Sequence, residues 1–254
     1  MKISTLMICY NAERTIRKTL NSLDWSDEII VVDSFSSDGT PDICKEFDVT
    51  FLQKEWQGFG KQRKWSVEQA NNDWIFFIDA DEEVSGELKS ELLNIKNEGT
   101  ESDVYAVPRK VYYMNRWITH SGWYPDYKER LFNKHKASWN ESELHEKLIY
   151  KGAAKKLKGD LYHYTYQNVE DQLERINRYS TIAAEELYSK GIKPNLIKSI
   201  FGSIWRFKKL YFLKLGFLDG LAGLTIASME SYYVMLRYFK HAEMIIADKE
   251  RWDK

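Results

Sequence analysis

The sequence predicts an α/β chain, a mostly parallel sheet flanked by helices, followed by a helical C-terminal region. Short, unbroken apolar runs at 3–9, 28–32, 49–52 and 74–78 lack helical periodicity and have strand length. Runs of that kind are strands buried on both faces, as in sheets with helices packed on each side. The segments between them carry helical spacing and turn residues, which gives the order β-α-β-α-β-α-β expected of a parallel sheet.

A chain of 254 residues can bury a large core, as one extended α/β domain or as one domain with an appendage. The formal net charge of −1 gives no reason to expect nucleic acid as a partner. Cys9 and Cys44 are the only cysteines and both lie in segments that read as buried, which fits free thiols in a reducing compartment. Residues 1–10 have too short an apolar run for a signal peptide and read as the first strand. A cytoplasmic protein is the expectation.

Taken in order, Ile3–Cys9 is the first strand, and Asn11 is placed to cap a helix carrying Ile16, Leu20 and Leu23. The second strand, 28–32, ends at Asp33. Residues 34–41 are turn chemistry, with Pro41 suited to the first turn of a helix that carries Ile43 and Phe47. After the short strand 49–52, Gly58-Phe59-Gly60 opens a basic helix, Lys61-Gln62-Arg63-Lys64, that runs to the Asn71-Asn72 turn.

The next strand, Trp74-Ile75-Phe76-Phe77-Ile78, runs straight into Asp79-Ala80-Asp81-Glu82-Glu83. Ligands of open α/β sheets bind where such a strand surfaces. In an extended segment Asp79 and Asp81 point to the same side, and paired carboxylate oxygens suit Mg²⁺ or Mn²⁺ when phosphates complete the shell. The plainer alternative is an acidic start to the following helix. The other strand-end groups have plain alternatives too: Tyr10 as core, Asp33 as a turn former, Arg63 as a solvated helix residue. Their joint placement at one edge of the sheet favours a site.

These residues carry a resemblance. Cys9-Tyr10-Asn11-Ala12-Glu13, Val31-Val32-Asp33-Ser34-Phe35-Ser36-Ser37-Asp38-Gly39-Thr40, Gly60-Lys61-Gln62-Arg63 and Ile78-Asp79-Ala80-Asp81-Glu82 make residues 1–85 similar to one half of a known enzyme. That half is the nucleotide-binding part of the inverting family-two glycosyltransferases of the GT-A fold, a Rossmann-like, mostly parallel sheet. The resemblance implies that Tyr10 and Asp33 contact a uracil base and that Arg63 approaches the base or phosphates. It places Asp79 on the ribose and Asp81 on the metal that holds the diphosphate. Ser34 departs from a second Asp common in the family, and Lys64 from a common Asn.

The second half resembles a narrower branch, the lipopolysaccharide-core β-1,4-glucosyltransferase-like enzymes. The words are Gly122-Trp123-Tyr124-Pro125-Asp126-Tyr127-Lys128-Glu129-Arg130, Glu143-Leu144-His145-Glu146-Lys147-Leu148 and Leu161-Tyr162-His163-Tyr164-Thr165-Tyr166. Inverting transfer needs a carboxylate to take the acceptor hydroxyl's proton. Asp126 is the first candidate, because its aromatic neighbours Trp123, Tyr124 and Tyr127 suit a sugar and burial among them raises a carboxylate's pKa. Glu146 is the second candidate, with Glu129 and Glu143 behind it. His145 is a candidate metal ligand or diphosphate contact, with a structural histidine as the alternative. Arg130 is read as a phosphate contact or an ion-pair partner, and His163 as a core histidine.

Residues 168–254 read as helical. From 195 to 217 the chain carries Lys198, Arg206, Lys208, Lys209 and Lys214 but no acidic residue, interleaved with large apolar side chains. That composition suits an anionic membrane surface, with a helix packed on the catalytic domain as the alternative. Residues 215–236 are apolar, but Asp219, Glu230 and three glycines argue against a simple span.

The expected organisation is a GT-A catalytic domain over 1–166, with a nucleotide-binding half (1–85) and an acceptor half (86–166), then a helical region over 167–254. The expected activity is metal-dependent transfer of a sugar from a UDP-sugar, UDP-glucose by the branch resemblance, to a lipid-linked glycan such as lipopolysaccharide inner core. The expected location is the inner face of the cytoplasmic membrane, as a peripheral protein. A capsule or O-antigen transferase with another donor and an inactive nucleotide-sugar-binding protein are the alternatives.

Overall fold

Alternation of side chains along each strand builds two cores, one on either face of the sheet. In the computed structural model, which describes residues 1–140 and 146–252, the chain begins with β1 (Ile3–Cys9), α1 (Ile16–Asn21), β2 (Glu28–Asp33) and α2 (Thr40–Cys44). β3 (Thr50–Gln53), α3 (Phe59–Glu68), β4 (Trp74–Asp79), β5 (Glu82–Val84) and α4 (Gly86–Glu98) follow. Ile3, Met7, Val31, Phe76 and Ile78 pack with Leu20, Leu88 and Leu92 on one face. Leu6, Ile8, Val32, Ile75 and Phe77 pack with Ala70, Phe132 and Trp139 on the other. Burying a side chain the size of Phe76 or Phe77 contributes about 2–3 kcal/mol.

The remaining strands are β6 (Val104–Tyr113), β7 (Arg116–Trp117), β8 (Asp126–Asn133), β9 (Ala137–Trp139), β10 (Leu148–Tyr150), β11 (Lys155–Lys156) and β12 (Leu161–His163). The main path of the sheet is β3-β2-β1-β4-β8-β6-β12-β5. β1 runs parallel to both β2 and β4, and β2 runs parallel to β3. β8 enters antiparallel between β4 and β6. The four parallel strands are the four apolar runs of the sequence.

Two local expectations are corrected. Asn11 does not cap α1: the helix starts at Ile16 behind Thr15, and Asn11 sits at φ 49°, a conformation Asn tolerates better than most residues. Leu23 and Phe47 lie beyond the ends of α1 and α2, although Leu23 is fully buried in the core. Cys9 and Cys44 are free and buried, and burial pushes the Cys44 thiol up to about 11.

The chain divides into two compact units, Met1–Lys110 with Pro125–Tyr164, and Val111–Tyr124 with Thr165–Lys254. The sequence drew one cut at 166, whereas the structure groups 111–124 with the helices. In this second unit Val111, Tyr113 and Ile118 pack with Ala222 and Ile226, and Tyr113 Oη donates to Gln172 Oε1 at 2.5 Å. Its helices are α5 (Val169–Ser189), α6 (Leu196–Lys208) and α7 (Gly220–Trp252). Asn168 and Asn195 cap α5 and α6 by accepting from the backbone N–H groups of Asp171 and Lys198.

Between α6 and α7 the chain makes a wide turn over Lys209–Leu213 and a tight one over Gly216–Asp219, joined at Leu215 with φ 54°. Gly223 packs so closely there that a Cβ would lie 1.8 Å from Gly216 O, which excludes any larger residue without a backbone shift. Among the described residues no single helix is long and apolar enough to cross a membrane; 196–213 and 216–248 pass that test only as a pair bent by 72°.

Candidate active site

The first unit gathers polar groups where its parallel strands end. After β1 and β2 the chain forms two loops that are tied to each other. Asn11 N donates to Ser36 Oγ at 2.8 Å and Ser37 N donates back to Asn11 Oδ1 at 2.9 Å. Ala12 N donates to Thr40 Oγ1 at 2.8 Å, and Gly39 N to Glu13 Oε2 at 3.0 Å. Asp33 lies beneath, fully buried. Its carboxylate accepts from Ser36 N at 2.9 Å, Gln53 Nε2 at 3.2 Å and Ser36 Oγ. Tyr10, by contrast, is 62% exposed at the mouth of the same loop.

Arg63 is buried rather than solvated, the alternative weighed from sequence. Its guanidinium lies 4.7 Å from the ring centroids of both Phe77 and Trp139. Nη2 donates to Asp79 Oδ1 at 2.9 Å and stands 3.7 Å from Glu146 Oε1. From the other side Arg130 Nη2 donates to both Asp79 Oδ2 and Glu82 Oε1, each at 2.6 Å. Glu82 is fully buried and its Oε2 accepts from Asp79 N at 3.0 Å.

Burial alone pushes the Asp79 carboxyl up, but Arg130 and Arg63 outweigh it and hold the group well below the usual carboxylate range. Glu82 moves the other way. Burial and the neighbouring Asp79 charge exceed the pull of Arg130, so its pKa is raised. The same two carboxylates keep the Arg130 guanidinium charged despite its burial.

Asp79 and Asp81 do not lie in one extended segment. β4 ends at Asp79 and residues 80–81 form a turn, so the two carboxylates take different partners. Asp81 Oδ2 stands 3.2 Å from His163 Nε2, a meeting set by the antiparallel pairing of His163 with Glu82. The sequence predicts a core histidine at His163. It is buried, but it faces Asp81, and its Nδ1 has no hydrogen-bond partner.

Asp126 requires a correction of its electrostatics. Its aromatic neighbours in the sequence predict a raised pKa, and burial does push it up. Arg109 Nη2 at 2.7 Å and Lys128 Nζ at 3.0 Å outweigh that, leaving its pKa lowered. A carboxylate held by two cations is a poor acceptor for a proton. Glu146 lies closer to the centre of the site, against Arg63. His145 and Glu143 lie outside the described residues.

The donor set fits a divalent cation in a limited way. Asp81, with its side chain 32% exposed, offers a carboxylate oxygen, and His163 an imidazole nitrogen. No group of three His, Cys, Asp or Glu side chains suited to a metal occurs among the described residues. Two protein ligands suit an ion whose shell is completed by substrate phosphates.

Buried charge collected at the end of the central parallel strand defines a ligand-binding α/β enzyme of the mostly parallel, GT-A type. Residues 4–157 match the family model described as glycosyl transferase family 2. The chain belongs to that family and is a nucleotide-sugar glycosyltransferase. It is 30% identical to an uncharacterized glycosyltransferase of Rickettsia typhi over 98% of this chain and 89% of that one. It is 28% identical to the lipopolysaccharide core biosynthesis glycosyltransferase LpsC of Rhizobium meliloti, over 95% of this chain and 94% of that one. Among solved structures it is similar to S. aureus TarS 1-349 in complex with UDP-GlcNAc, at 18% identity and a TM-score of 0.47, covering 94% and 92% of the two chains.

Proposed function

We propose that the protein is an inverting, metal-dependent transferase that moves a sugar, glucose first among the candidates, from a UDP-sugar to a lipid-linked glycan of the lipopolysaccharide inner-core kind. The observation that carries this reading is the pair Asp81–His163 beside the buried Arg63–Asp79–Arg130–Glu82 network. The named role of the Rhizobium relative supports the acceptor class.

Asp81 and His163 are the residues that would hold Mg²⁺ or Mn²⁺ in this reading. The chemistry such an ion would supply is neutralisation of the negative charge on the diphosphate leaving group. Asp79, fixed by two arginines, receives the ribose, and the exposed Tyr10 ring receives the base. Asp33 serves that loop from beneath, since its carboxylate is already committed to Ser36 and Gln53. Glu146 takes the proton of the attacking acceptor hydroxyl, and Arg63 holds its carboxylate close to the reaction. Asp126 positions Arg109, whose Nη1 stands 3.8 Å from Glu82 Oε1.

The test is nucleotide release from a panel of UDP-, GDP- and TDP-sugars, with and without Mn²⁺, in the presence of truncated lipopolysaccharide core. UDP-glucose with Mn²⁺ should turn over fastest. Preference for a GDP- or TDP-sugar would overturn the donor class, and full activity in EDTA would remove the metal.

A further inference from the structure

A helix on the outside of a water-soluble protein turns its large apolar side chains inward. α6 does the reverse. Toward α7 it presents Ser199, fully buried, with Gly202 and Ser203. Ser231 Oγ of α7 donates to Ser203 O at 2.8 Å, and a Cβ on Gly202 would stand only 3.5 Å from Val234 Cγ1. Outward it presents Ile197 at 70% exposure, Phe201 at 69% and Trp205 at 58%. The apolar surface continues past the end of the helix through Phe212, Leu213 and Leu218, all exposed. Small residues between helices and large apolar residues outside are the arrangement of helices packed in lipid. An exposed patch of this kind marks a contact surface.

Charge selects the occupant. Lys198, Lys208, Lys209 and Lys214 are exposed along the same stretch, and the first acidic residue after Asn195 is Asp219, itself fully buried. Arg206 does not belong with them, because its Nη2 donates to Glu230 Oε2 at 2.5 Å. A second copy of the chain, packed by two-fold symmetry on this face, would set lysines against lysines. An anionic bilayer offers acyl chains for the aromatic face and headgroups for the lysines, whose long stems reach from one to the other.

We propose that α6 and the turn that follows it dock in the plane of an anionic lipid bilayer, with the Ile197–Phe201–Trp205 face inserted and the lysines at the headgroups. This goes beyond the sugar-transfer reading and does not depend on it.

The experiment is flotation of the full chain with vesicles of phosphatidylcholine alone or mixed with phosphatidylglycerol, without any sugar donor. Wild type should float with the mixed vesicles and less with phosphatidylcholine alone. Phe201→Glu with Trp205→Glu should cut vesicle binding by about tenfold or more. Lys208→Glu with Lys209→Glu should abolish the preference for phosphatidylglycerol. Circular dichroism establishes that each variant is folded. No flotation of wild type, or equal flotation of the apolar variant, would overturn the proposal. So would light scattering that finds a wild-type dimer converted to a monomer by the same apolar substitutions, because the face would then belong to a second copy.

Discussion

At the end of β4 the protein hides charges that answer one another: Asp79 and Glu82 against Arg130, with Arg63 closing the set. Around that network the strands bury Ile75, Phe76, Phe77 and Ile78. In α6 the pattern is turned over, with serines buried and isoleucine, phenylalanine and tryptophan outside. The contrast separates two uses of hydrophobicity. In the first unit apolar burial builds a floor on which paired charges keep fixed positions. In the second, beside a buried core of its own, the α6 face keeps large apolar side chains on the surface.

The largest effects should come from breaking the fixed charges. Glu146→Gln should lower transfer by about 10²–10⁴-fold, the range for a lost general base, with UDP binding kept. Asp126→Asn should retain far more activity. The reverse ranking in a steady-state assay would move the base back to Asp126. Asp81→Asn and His163→Ala should each lose about 10²-fold or more together with Mn²⁺-dependent UDP binding by calorimetry. A His163→Ala enzyme that binds Mn²⁺ normally would reduce that histidine to a structural part.

Arg130→Met should destabilise the fold by about 3–5 kcal/mol in urea, because it strands two buried carboxylates. It also has a pH signature. Asp79 is held below its unfolded value of about 3.9, so its contribution is complete above that value and is lost as pH falls through the folded one. Removing Arg130 should therefore shift the acid-unfolding midpoint upward, and an unchanged midpoint would mean that Arg63 alone keeps Asp79 ionised.

The helix pair should respond in the opposite sense to chemistry. Ser203→Leu, a gain of apolar bulk, should cost about 1–3 kcal/mol by overpacking against α7. Phe201→Ser, a loss of apolar bulk, should change the melting free energy of the lipid-free protein by no more than about 0.5 kcal/mol. If Phe201→Ser destabilises as a core substitution does, the contrast between the two regions fails.

Much of this was legible in the sequence where the information is local. The four parallel strands were visible because a strand buried on both faces must be apolar throughout, and Asp79 and Asp81 stood out by following one of them directly. What was hidden lies across strands. Arg109 meets Asp126 because β6 pairs antiparallel with β8 in that register, and no local pattern reveals that a carboxylate among aromatics faces a guanidinium. His163 meets Asp81 because β12 returns beside β5. The ring alone, in Leu161-Tyr162-His163-Tyr164, looks like any half-buried histidine. The inversion of α6 was half visible: its composition was plain, but which face turned inward depended on Ser231 and Val234, far along the chain.

The loops after β1 and β2 are held to each other by reciprocal hydrogen bonds, from Asn11 and Ser36–Ser37 at one end to Glu13 and Gly39 at the other. They therefore behave as one cassette. A designer who exchanged residues 10–13 for others lacking the Asn11 and Glu13 side chains would leave Ser37 N and Gly39 N without their acceptors, and the graft would carry its new side chains on a slackened frame. Transplanting 10–13 together with 34–40 keeps the ties intact. In this protein the smallest exchangeable module at the sheet edge is a pair of loops, contributed by two consecutive strands that pair in parallel register.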